Sequence, residues 1–154
     1  MRDQIRLGLV VAEFNEELTE KMLTQALKRS SELNALTTYV CKVPGAYDMP
    51  LMVQILLDKN DIDAVVTLGA IVRGGTKHDE VIAHALYMKM ADLSLQYKKP
   101  VTLGVAGPGM TYQQGKVRIK EYANRSVDAA VKMVLRHRKA TKQVLNPRYP
   151  VVIE

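Results

Sequence analysis

Four stretches of the chain have the hydrophobic pattern of buried β-strands. They are rich in Leu, Val, Ile and Thr, and the first, third and fourth are nearly unbroken apolar runs. Such runs are typical of strands that are covered on both faces of a parallel sheet. We therefore predict strands at residues 5–13, 36–43, 63–71 and 101–107.

Between these strands, apolar residues recur at helical spacing. The stretch 15–33 opens with Asn15, a candidate N-cap, followed by two glutamates that suit the positive end of a helix. Pro50 suits the first turn of a second helix over residues 50–60. Two further stretches, after a glycine-rich loop and near the C-terminus, each place apolar residues on one stripe: Ile82, Ala85, Leu86, Met90 and Leu93 in the first, and Val127, Ala130, Val131, Val134 and Leu135 in the second.

The alternation of strands and helices indicates right-handed crossovers and a parallel sheet with helices on both faces. We predict an α/β protein, a three-layer αβα sandwich around a four-stranded parallel sheet, flavodoxin-like in size. The 154 residues contain no repeat or linker, so we expect a single domain over 1–154. Residues 140–154 are expected to form a C-terminal tail, because "NPRYPVVIE" has two prolines and an apolar end.

Composition narrows the class of protein. No apolar run approaches the roughly 20 residues that a membrane span needs, and the N-terminus "MRDQIRLGLVV" lacks the features of a secretory signal. The single cysteine, Cys41, excludes an internal disulfide and a multi-cysteine metal site, and we expect it to be a small core residue. We therefore expect a cytoplasmic protein without a membrane segment.

The net charge of +6 is concentrated in the segment "KMVLRHRKATKQ", residues 132–143. A basic cluster can bind nucleic acid, but cations are also favoured at the C-terminal end of a solvated helix. No RNA-binding aromatic motif accompanies the cluster and the chain has no Trp. The sequence therefore favours a solvated helix end over a nucleic-acid site.

The segments that directly follow the predicted strands carry most of the candidate chemistry. Ligands of open parallel sheets bind beyond the carboxyl ends of the strands. There the chain has the only phenylalanine, a Tyr-Asp pair, a basic glycine loop with a histidine, and a second glycine turn. We predict the functional site at this edge, from "EFN" (13–15), "PGAYDMP" (44–50), "VRGGTKH" (72–78) and "GPGM" (107–110).

Two of these residues have both a functional and a structural interpretation. The ring of Phe14 could stack on a planar heterocycle, or it could staple the start of the first helix against the core. Asp48, directly after Tyr47, could accept hydrogen bonds from ligand hydroxyls, or it could cap the second helix. The residues themselves leave both alternatives open.

The glycine loop has the features of an anion site. Gly74 and Gly75 allow close backbone approach, Thr76 offers a hydroxyl, and a helix N-terminus supplies free N–H groups. The loop matches neither the dinucleotide-binding nor the P-loop motif. His78, in the first turn of the helix, would face the same spot and could transfer a proton, although a lone histidine is often structural. The three histidines are scattered without a carboxylate at ligand spacing, so a metal site is not expected.

The three stretches "EFN", "PGAYDMP" and "GAIVRGGTKHDEV" resemble the lumazine synthase family in order and spacing, across roughly residues 5–135. "PVTLGVAGPGMT" is similar to the archaeal branch of that family. The resemblance implies condensation of 5-amino-6-(D-ribitylamino)uracil with 3,4-dihydroxy-2-butanone 4-phosphate to 6,7-dimethyl-8-ribityllumazine. Phosphate and water are released in this penultimate step of riboflavin biosynthesis, and the resemblance implies no metal or redox cofactor.

The resemblance also implies roles for individual residues. Phe14 would stack on the pyrimidinedione, and His78 would transfer protons. Further pyrimidinedione-binding positions would be Ala46, Tyr47, Asp48, Ala70, Ile71, Val72 and Leu103, the last where many members have a Phe from the neighbouring subunit. Phosphate would be bound by Gly75, Thr76 and Arg118, with Lys116 or Lys120 as alternatives to Arg118; Asn15, Gly74, Arg125 and Asp128 would support the site.

This chain departs from the usual family pattern in two places. Tyr-Asp replaces the commoner Phe-Glu, and "AGPGMT" replaces the usual Thr-Thr segment after the fourth strand. The family also implies a homo-oligomer, either a pentamer or a 60-mer of twelve pentamers, with sites between adjacent subunits. We expect the apolar tail to lie against such a neighbour.

Two other functions remain open alternatives at this stage. One is archaeal-type riboflavin synthase, a related fold that acts on two lumazine molecules, although the His78 loop and Phe14 speak against it. The other is a non-catalytic shell protein that binds flavin or lumazine, which the fold alone does not separate from an enzyme.

Overall fold

The computed structural model describes residues 3–142 and 150–154. Strands and helices alternate along the chain as predicted, with one short 3-10 turn at Ala46–Asp48. β4 extends beyond its predicted end at residue 107, and α2 is shorter than predicted. The elements are β1 (Arg6–Ala12), α1 (Glu16–Glu32), β2 (Leu36–Val43), α2 (Met49–Leu57), β3 (Ala64–Val72), α3 (His78–Tyr97), β4 (Val101–Met110) and α4 (Tyr112–Thr141).

The four strands form one parallel sheet in the order β2-β1-β3-β4. The central strands β1 and β3 are buried almost throughout, as their unbroken apolar runs predict. β2 is an edge strand and is largely half-exposed. The predicted four-stranded parallel sheet is therefore confirmed.

Two hydrophobic clusters cover the two faces of this sheet. On one face, α1 and α4 contribute Leu18, Met22 and Val127 to the core. On the other, α2 and α3 contribute Leu56 and Met90. This arrangement is the predicted three-layer αβα sandwich, and it leaves the carboxyl edge of the sheet between the layers open for a site.

Asn15 directly precedes α1, but its side chain makes no capping hydrogen bond. Its φ of 61° is in the left-handed region, whereas a capping residue normally has extended backbone. The side-chain amide instead donates to the carbonyl of Ala70. The predicted cap is thus wrong in its chemistry, although the predicted helix start is right.

Asp48 and Cys41 also do not have the structural roles that the sequence suggested for them. The Asp48 carboxylate accepts a hydrogen bond from the Gly45 N–H (2.9 Å) and makes none to α2, so it closes the 3-10 turn instead of capping the helix. Cys41 lies on the edge strand β2 and is only half-buried, yet this burial raises the pKa of its thiol. An edge strand leaves a side chain less covered than a central one does.

The C-terminal part of the chain is only partly described. α4 includes Ala140 and Thr141, the first two residues of the predicted tail, and residues 143–149 lie outside the described part. Val151, Val152 and Ile153 are exposed. The basic segment 132–143 belongs to α4 as far as Thr141, with Arg138 and Lys139 in the last turn, as predicted for a helix end. Among the described residues, no helix has both the length and the apolar character required to cross a bilayer.

Candidate active site

A cleft of about 410 Å³ opens at the carboxyl edge of the sheet. It lies where β1 and β3 end, between the 3-10 turn and the start of α3. Its walls are mostly apolar, with two hydroxyls, one imidazole and one carboxylate. The lining residues are Ala12, Phe14, Gly45, Ala46, Tyr47, Ala70, Ile71, Val72, Gly74, Thr76, His78, Asp79 and Ile82.

Two aromatic side chains form one side of the cleft and remain open to solvent. Phe14 is 73% exposed and Tyr47 is 71% exposed. The Phe14 ring therefore does not staple α1 to the core, and that structural interpretation is wrong. Backbone hydrogen bonds position the ring: the Phe14 N–H donates to Pro44 O (3.0 Å), and the Glu13 N–H donates to Val43 O (2.7 Å). An exposed ring on a fixed backbone can stack on a planar ligand.

The 3-10 turn presents Ala46 and Tyr47 to the cleft. Two hydrogen bonds between Gly45 and Asp48 close this turn. The Gly45 N–H donates to the Asp48 carboxylate, and the Asp48 N–H donates to Gly45 O (3.1 Å). Asp48 itself does not line the cleft; it lines a neighbouring groove that it shares with Tyr47 and Pro50. The Asp48 carboxylate is therefore at the border of the site and not on its wall.

The floor of the cleft is the end of β3. Ala70, Ile71 and Val72 are buried or half-buried there and line the cavity. The Asn15 amide donates to Ala70 O (2.8 Å), which connects the loop after β1 to this floor. Asn15, for which the resemblance implied a supporting role, thus joins two segments that border the cleft.

The glycine loop between β3 and α3 is exposed from Arg73 to His78. A side chain added at Gly74 or Gly75 would meet no atom within 4 Å, so there is open space beside the backbone for a ligand. The Thr76 Oγ1 accepts a hydrogen bond from the His78 N–H (3.4 Å), and His78 begins α3. Gly75 does not line the cleft, whereas Gly74, Thr76 and His78 do.

Four lining residues were not named individually as site residues from the sequence, although Gly45 lies in the predicted stretch 44–50: Ala12, Gly45, Asp79 and Ile82. Asp79 is the most polar of them and is only 7% exposed. Its Oδ2 accepts a hydrogen bond from the Gly109 N–H (3.0 Å). The sequence shows an acidic residue directly after His78, but an acid in the first turn of a helix is ordinarily explained by the helix dipole.

No group of three His, Cys, Asp or Glu side chains is placed to hold a metal ion in the part of the chain that the structure describes. Thr76 and His78 lie at a helix N-terminus, where anions are favoured.

Comparison with known proteins identifies the family. A family model described as 6,7-dimethyl-8-ribityllumazine synthase matches residues 4–138. The chain belongs to this family. The 6,7-dimethyl-8-ribityllumazine synthase of Saccharolobus islandicus (strain L.S.2.15 / Lassen #1) is 55% identical over 135 residues, which are 88% of this chain and 88% of that protein. The protein of the same name from Saccharolobus solfataricus is 54% identical over 135 residues, which are 88% of each chain. The one from Pyrobaculum arsenaticum is 49% identical over 132 residues, which are 86% of this chain and 88% of that protein. The relatives come from archaea, as the resemblance to the archaeal branch implied.

Besides Asn15, Asp48 and Gly75, four further positions to which the lumazine synthase resemblance assigned a role do not line this cleft: Leu103, Arg118, Arg125 and Asp128. Three of them are on α4, which packs against α1 on the sheet face opposite α3. Asp128 accepts a hydrogen bond from Arg29 Nε (2.7 Å), and Arg125 contacts Glu121 (3.3 Å). The cleft of one chain is therefore formed by the aromatic side, the floor and the glycine loop, and these four positions are not part of it.

Leu103 and Arg125 instead line a second cleft of about 380 Å³, between β4 and α4. Leu103 is 40% exposed on this edge strand. Arg118 is exposed on α4 and has no ion-pair partner among the described residues. Lys116, by contrast, has its Nζ 3.7 Å from Glu17 and 5.2 Å from the centre of the Tyr112 ring.

Proposed function

We propose that this chain condenses 5-amino-6-(D-ribitylamino)uracil with 3,4-dihydroxy-2-butanone 4-phosphate to 6,7-dimethyl-8-ribityllumazine. The observation that carries the proposal is that Phe14, Thr76 and His78, from two distant segments of the chain, line one cleft. Membership of the lumazine synthase family supports the same reaction. An exposed ring, an anion loop and an imidazole are the groups that this pair of substrates requires.

The pyrimidinedione would bind on the aromatic and apolar side of the cleft. Phe14 would stack on its ring, and Ala46 and Tyr47 would hold it from the 3-10 turn, with the Asp48 carboxylate near the ribityl hydroxyls. The floor formed by Ala70, Ile71 and Val72 would exclude water beneath the ring. A stacking interaction of this kind contributes about 0.5–1.5 kcal/mol beyond the burial of area.

The butanone phosphate would bind at the glycine loop. Gly75 and Thr76 precede α3, and the free N–H groups of its first turn favour a phosphate dianion there. The side chains of Arg73 and Lys77 are exposed beside the loop and add positive charge. The open space at Gly74 and Gly75 supports this assignment, because the backbone can approach the phosphate directly.

His78 would transfer the protons of the reaction. The amine of the pyrimidinedione attacks the ketone of the second substrate, and loss of water gives an imine. Removal of a proton next to the imine carbon then expels phosphate, which the loop receives. His78 borders both binding regions, so one imidazole can accept this proton and return it later. Holding the two substrates together would contribute much of the remaining rate increase.

We also propose that the complete site lies between adjacent subunits of a homo-oligomer, a pentamer or a 60-mer of twelve pentamers. Leu103 and Arg118 are exposed and outside their own chain's cleft, so a neighbour could supply both. α3 adds an apolar face for such a neighbour: Val81, Met88 and Leu95 follow at seven-residue spacing and are 66%, 72% and 78% exposed. Each subunit would be a single lumazine synthase-like domain over 1–154, with the segment after α4 against a neighbour.

An activity assay with both substrates tests the proposed reaction. We expect the fluorescent lumazine to form only when the pyrimidinedione and the butanone phosphate are both present. Formation of riboflavin from lumazine alone would instead identify a riboflavin synthase. Tight binding of lumazine without turnover would identify a non-catalytic binding protein.

A measurement of particle mass tests the assembly. The chain mass is 17.2 kDa, and we expect the particle to be a fivefold or sixtyfold multiple of it. Met88→Asp should reduce the particle to smaller species, whereas Lys132→Asp, on α4, should not. A monomeric parent protein would contradict the shared site. Deletion of residues 146–154 with an unchanged number of subunits in the particle would contradict the proposed contact of the tail.

A further inference from the structure

β4 contains a bulge beside the floor of the cleft. Ala70 of β3 pairs with Ala106, and Val72 pairs with Met110, so β4 contains two more residues than β3 over this interval. Gly107 and Gly109 have φ of 104° and 74°, which side chains rarely adopt. A Cβ at Gly107 would lie 2.2 Å from Ile71 O, so the bulge is pressed directly against the cleft floor.

Two side chains of α3 hold this bulge. Asp79 Oδ2 accepts a hydrogen bond from the Gly109 N–H (3.0 Å). Tyr87 Oη donates to Gly107 O (2.5 Å) and lies 3.3 Å from Val105 O. Burial raises the pKa of Tyr87 to about 12, so its hydroxyl keeps the proton that it donates. The bulge is thereby joined to the first turn of α3 and to a position further along the same helix.

The other end of the glycine loop is also joined to the bulged strand. The Arg73 N–H donates to Met110 O (2.7 Å). Between Arg73 and α3, the loop is exposed, and a Cβ added at Gly74 or Gly75 would meet no atom within 4 Å. The position of the loop and of His78 therefore depends on the bulge and on the groups that hold it.

We propose that Asp79 is a positioning residue, which acts through Gly109, with Tyr87 as a second anchor, to hold His78 and the glycine loop against the cleft floor. This inference rests on the proposed function, because it assigns the effect to the phosphate half of that site. An interaction with the helix dipole alone does not explain the burial of Asp79, since the adjacent Glu80 is exposed in the same first turn. Asp79 is buried because its carboxylate pairs with a main-chain N–H of the bulge.

Four variants of the full-length protein test the positioning role: Asp79→Ala, Asp79→Asn, Tyr87→Phe and the matched control Glu80→Ala. We expect Asp79→Ala to lower kcat at least tenfold and to raise the KM for the butanone phosphate about fivefold. The KM for the pyrimidinedione should stay within twofold, because the Phe14 backbone is held by Pro44, directly after β2, and not by α3. Asp79→Asn keeps an acceptor for Gly109 and should restore most of the loss. Tyr87→Phe should change the same two constants about threefold, and Glu80→Ala should change neither.

The outcomes separate this inference from the proposed function. A parent protein that does not convert the two substrates would overturn both. An active parent whose Asp79→Ala variant behaves like Glu80→Ala would overturn only the positioning role. An equal rise of the KM values for both substrates would show a merely structural role. A smaller active fraction with parental kinetic constants would show the same, and either result would overturn the positioning role. Should Asp79→Ala fail to fold, Tyr87→Phe decides, and an unchanged KM for the butanone phosphate would be the contrary result.

Discussion

The side-chain amide of Asn15 donates a hydrogen bond to the main-chain carbonyl of Ala70, 55 residues away in the sequence (2.8 Å). The bond joins the loop that carries Phe14 to the strand that forms the cleft floor. Asn15 has a φ of 61°, which asparagine tolerates better than most residues. One residue thus adopts the left-handed backbone at the start of α1 and connects the Phe14 side of the cleft to its floor.

Asn15→Ala should destabilise the protein by about 1–2 kcal/mol. Roughly half of this cost comes from the left-handed backbone and half from the lost hydrogen bond. Asn15→Gly removes the bond but tolerates the backbone, so it should lose less. Urea unfolding at one protein concentration measures both variants, because an oligomer's stability depends on concentration. Equal losses for the two variants would exclude a contribution from backbone strain.

His78→Ala should slow turnover by more than tenfold without changing the particle mass. The imidazole is exposed and lines the cleft, so its loss removes a proton-transfer group and little packing. His137→Ala, at the far end of α4, is the matched control and should keep parental kinetics. Steady-state kinetics with both substrates provide the measurement. A His78→Ala protein with parental kcat would remove His78 from the mechanism.

Phe14→Ala should raise the KM for the pyrimidinedione about tenfold, which corresponds to about 1.4 kcal/mol. The ring is 73% exposed, so the free energy of unfolding should change by no more than about 0.5 kcal/mol. Phe14→Tyr retains the ring and should stay near the parent. Kinetics and urea unfolding together provide the test. A large loss of stability with an unchanged KM would indicate a packing role instead.

Arg118→Ala should chiefly impair use of the butanone phosphate, with a KM at least fivefold higher for this substrate alone. A guanidinium pairs with phosphate through charge-assisted, often bidentate hydrogen bonds, which an alanine cannot replace. Lys120→Ala and Lys116→Ala test the alternative assignments on the same helix and should have smaller effects. Kinetics with each substrate varied in turn measure all three. The opposite ranking would move the phosphate contact to the lysine that shows the larger effect.

Tyr112→Phe should lower the free energy of unfolding more at neutral pH than in acid. Tyr112 Oη donates to Glu17 Oε2 (2.5 Å), and this bond, together with the charge of Lys116, lowers the pKa of Glu17. A carboxyl whose pKa is lowered by folding stabilises the protein above its unfolded pKa, about 4.3, and loses this effect as the pH falls through the folded pKa. Thermal unfolding at pH 7 and pH 3 should show a larger difference from the parent at pH 7. Tyr97→Phe serves as the control, and a difference that does not depend on pH would rule out Glu17 as the cause.

The general architecture could be predicted because its signals are local. The apolar runs of β1 and β3, the stripes of α3 and α4 and the turn residues between them each lie within about twenty residues of sequence. Alternation of strand and helix then implies a parallel sheet, and a parallel sheet places ligands at its carboxyl edge. For this reason the sequence predicts that Phe14, Tyr47 and His78 lie at the same edge of the sheet.

Other features could not be predicted, because they depend on which distant segments meet. Whether an asparagine before a helix caps it or reaches across to Ala70 is decided by the backbone angle that the packed chain imposes. The burial of Asp79 likewise requires the Gly109 N–H beside it, and no periodicity encodes that pairing. Leu103 and Arg118 are ordinary surface positions by pattern, and only the tertiary structure shows that they do not line their own chain's cleft.

The amino-acid sequence by itself determined the sheet, its helices and the edge at which the chemistry gathers, because hydrophobic periodicity acts over a single turn or strand. The tertiary structure alone decided how the site is held together. Hydrogen bonds such as those from Asn15 to Ala70 and from Gly109 to Asp79 form between segments that only folding brings within 3 Å.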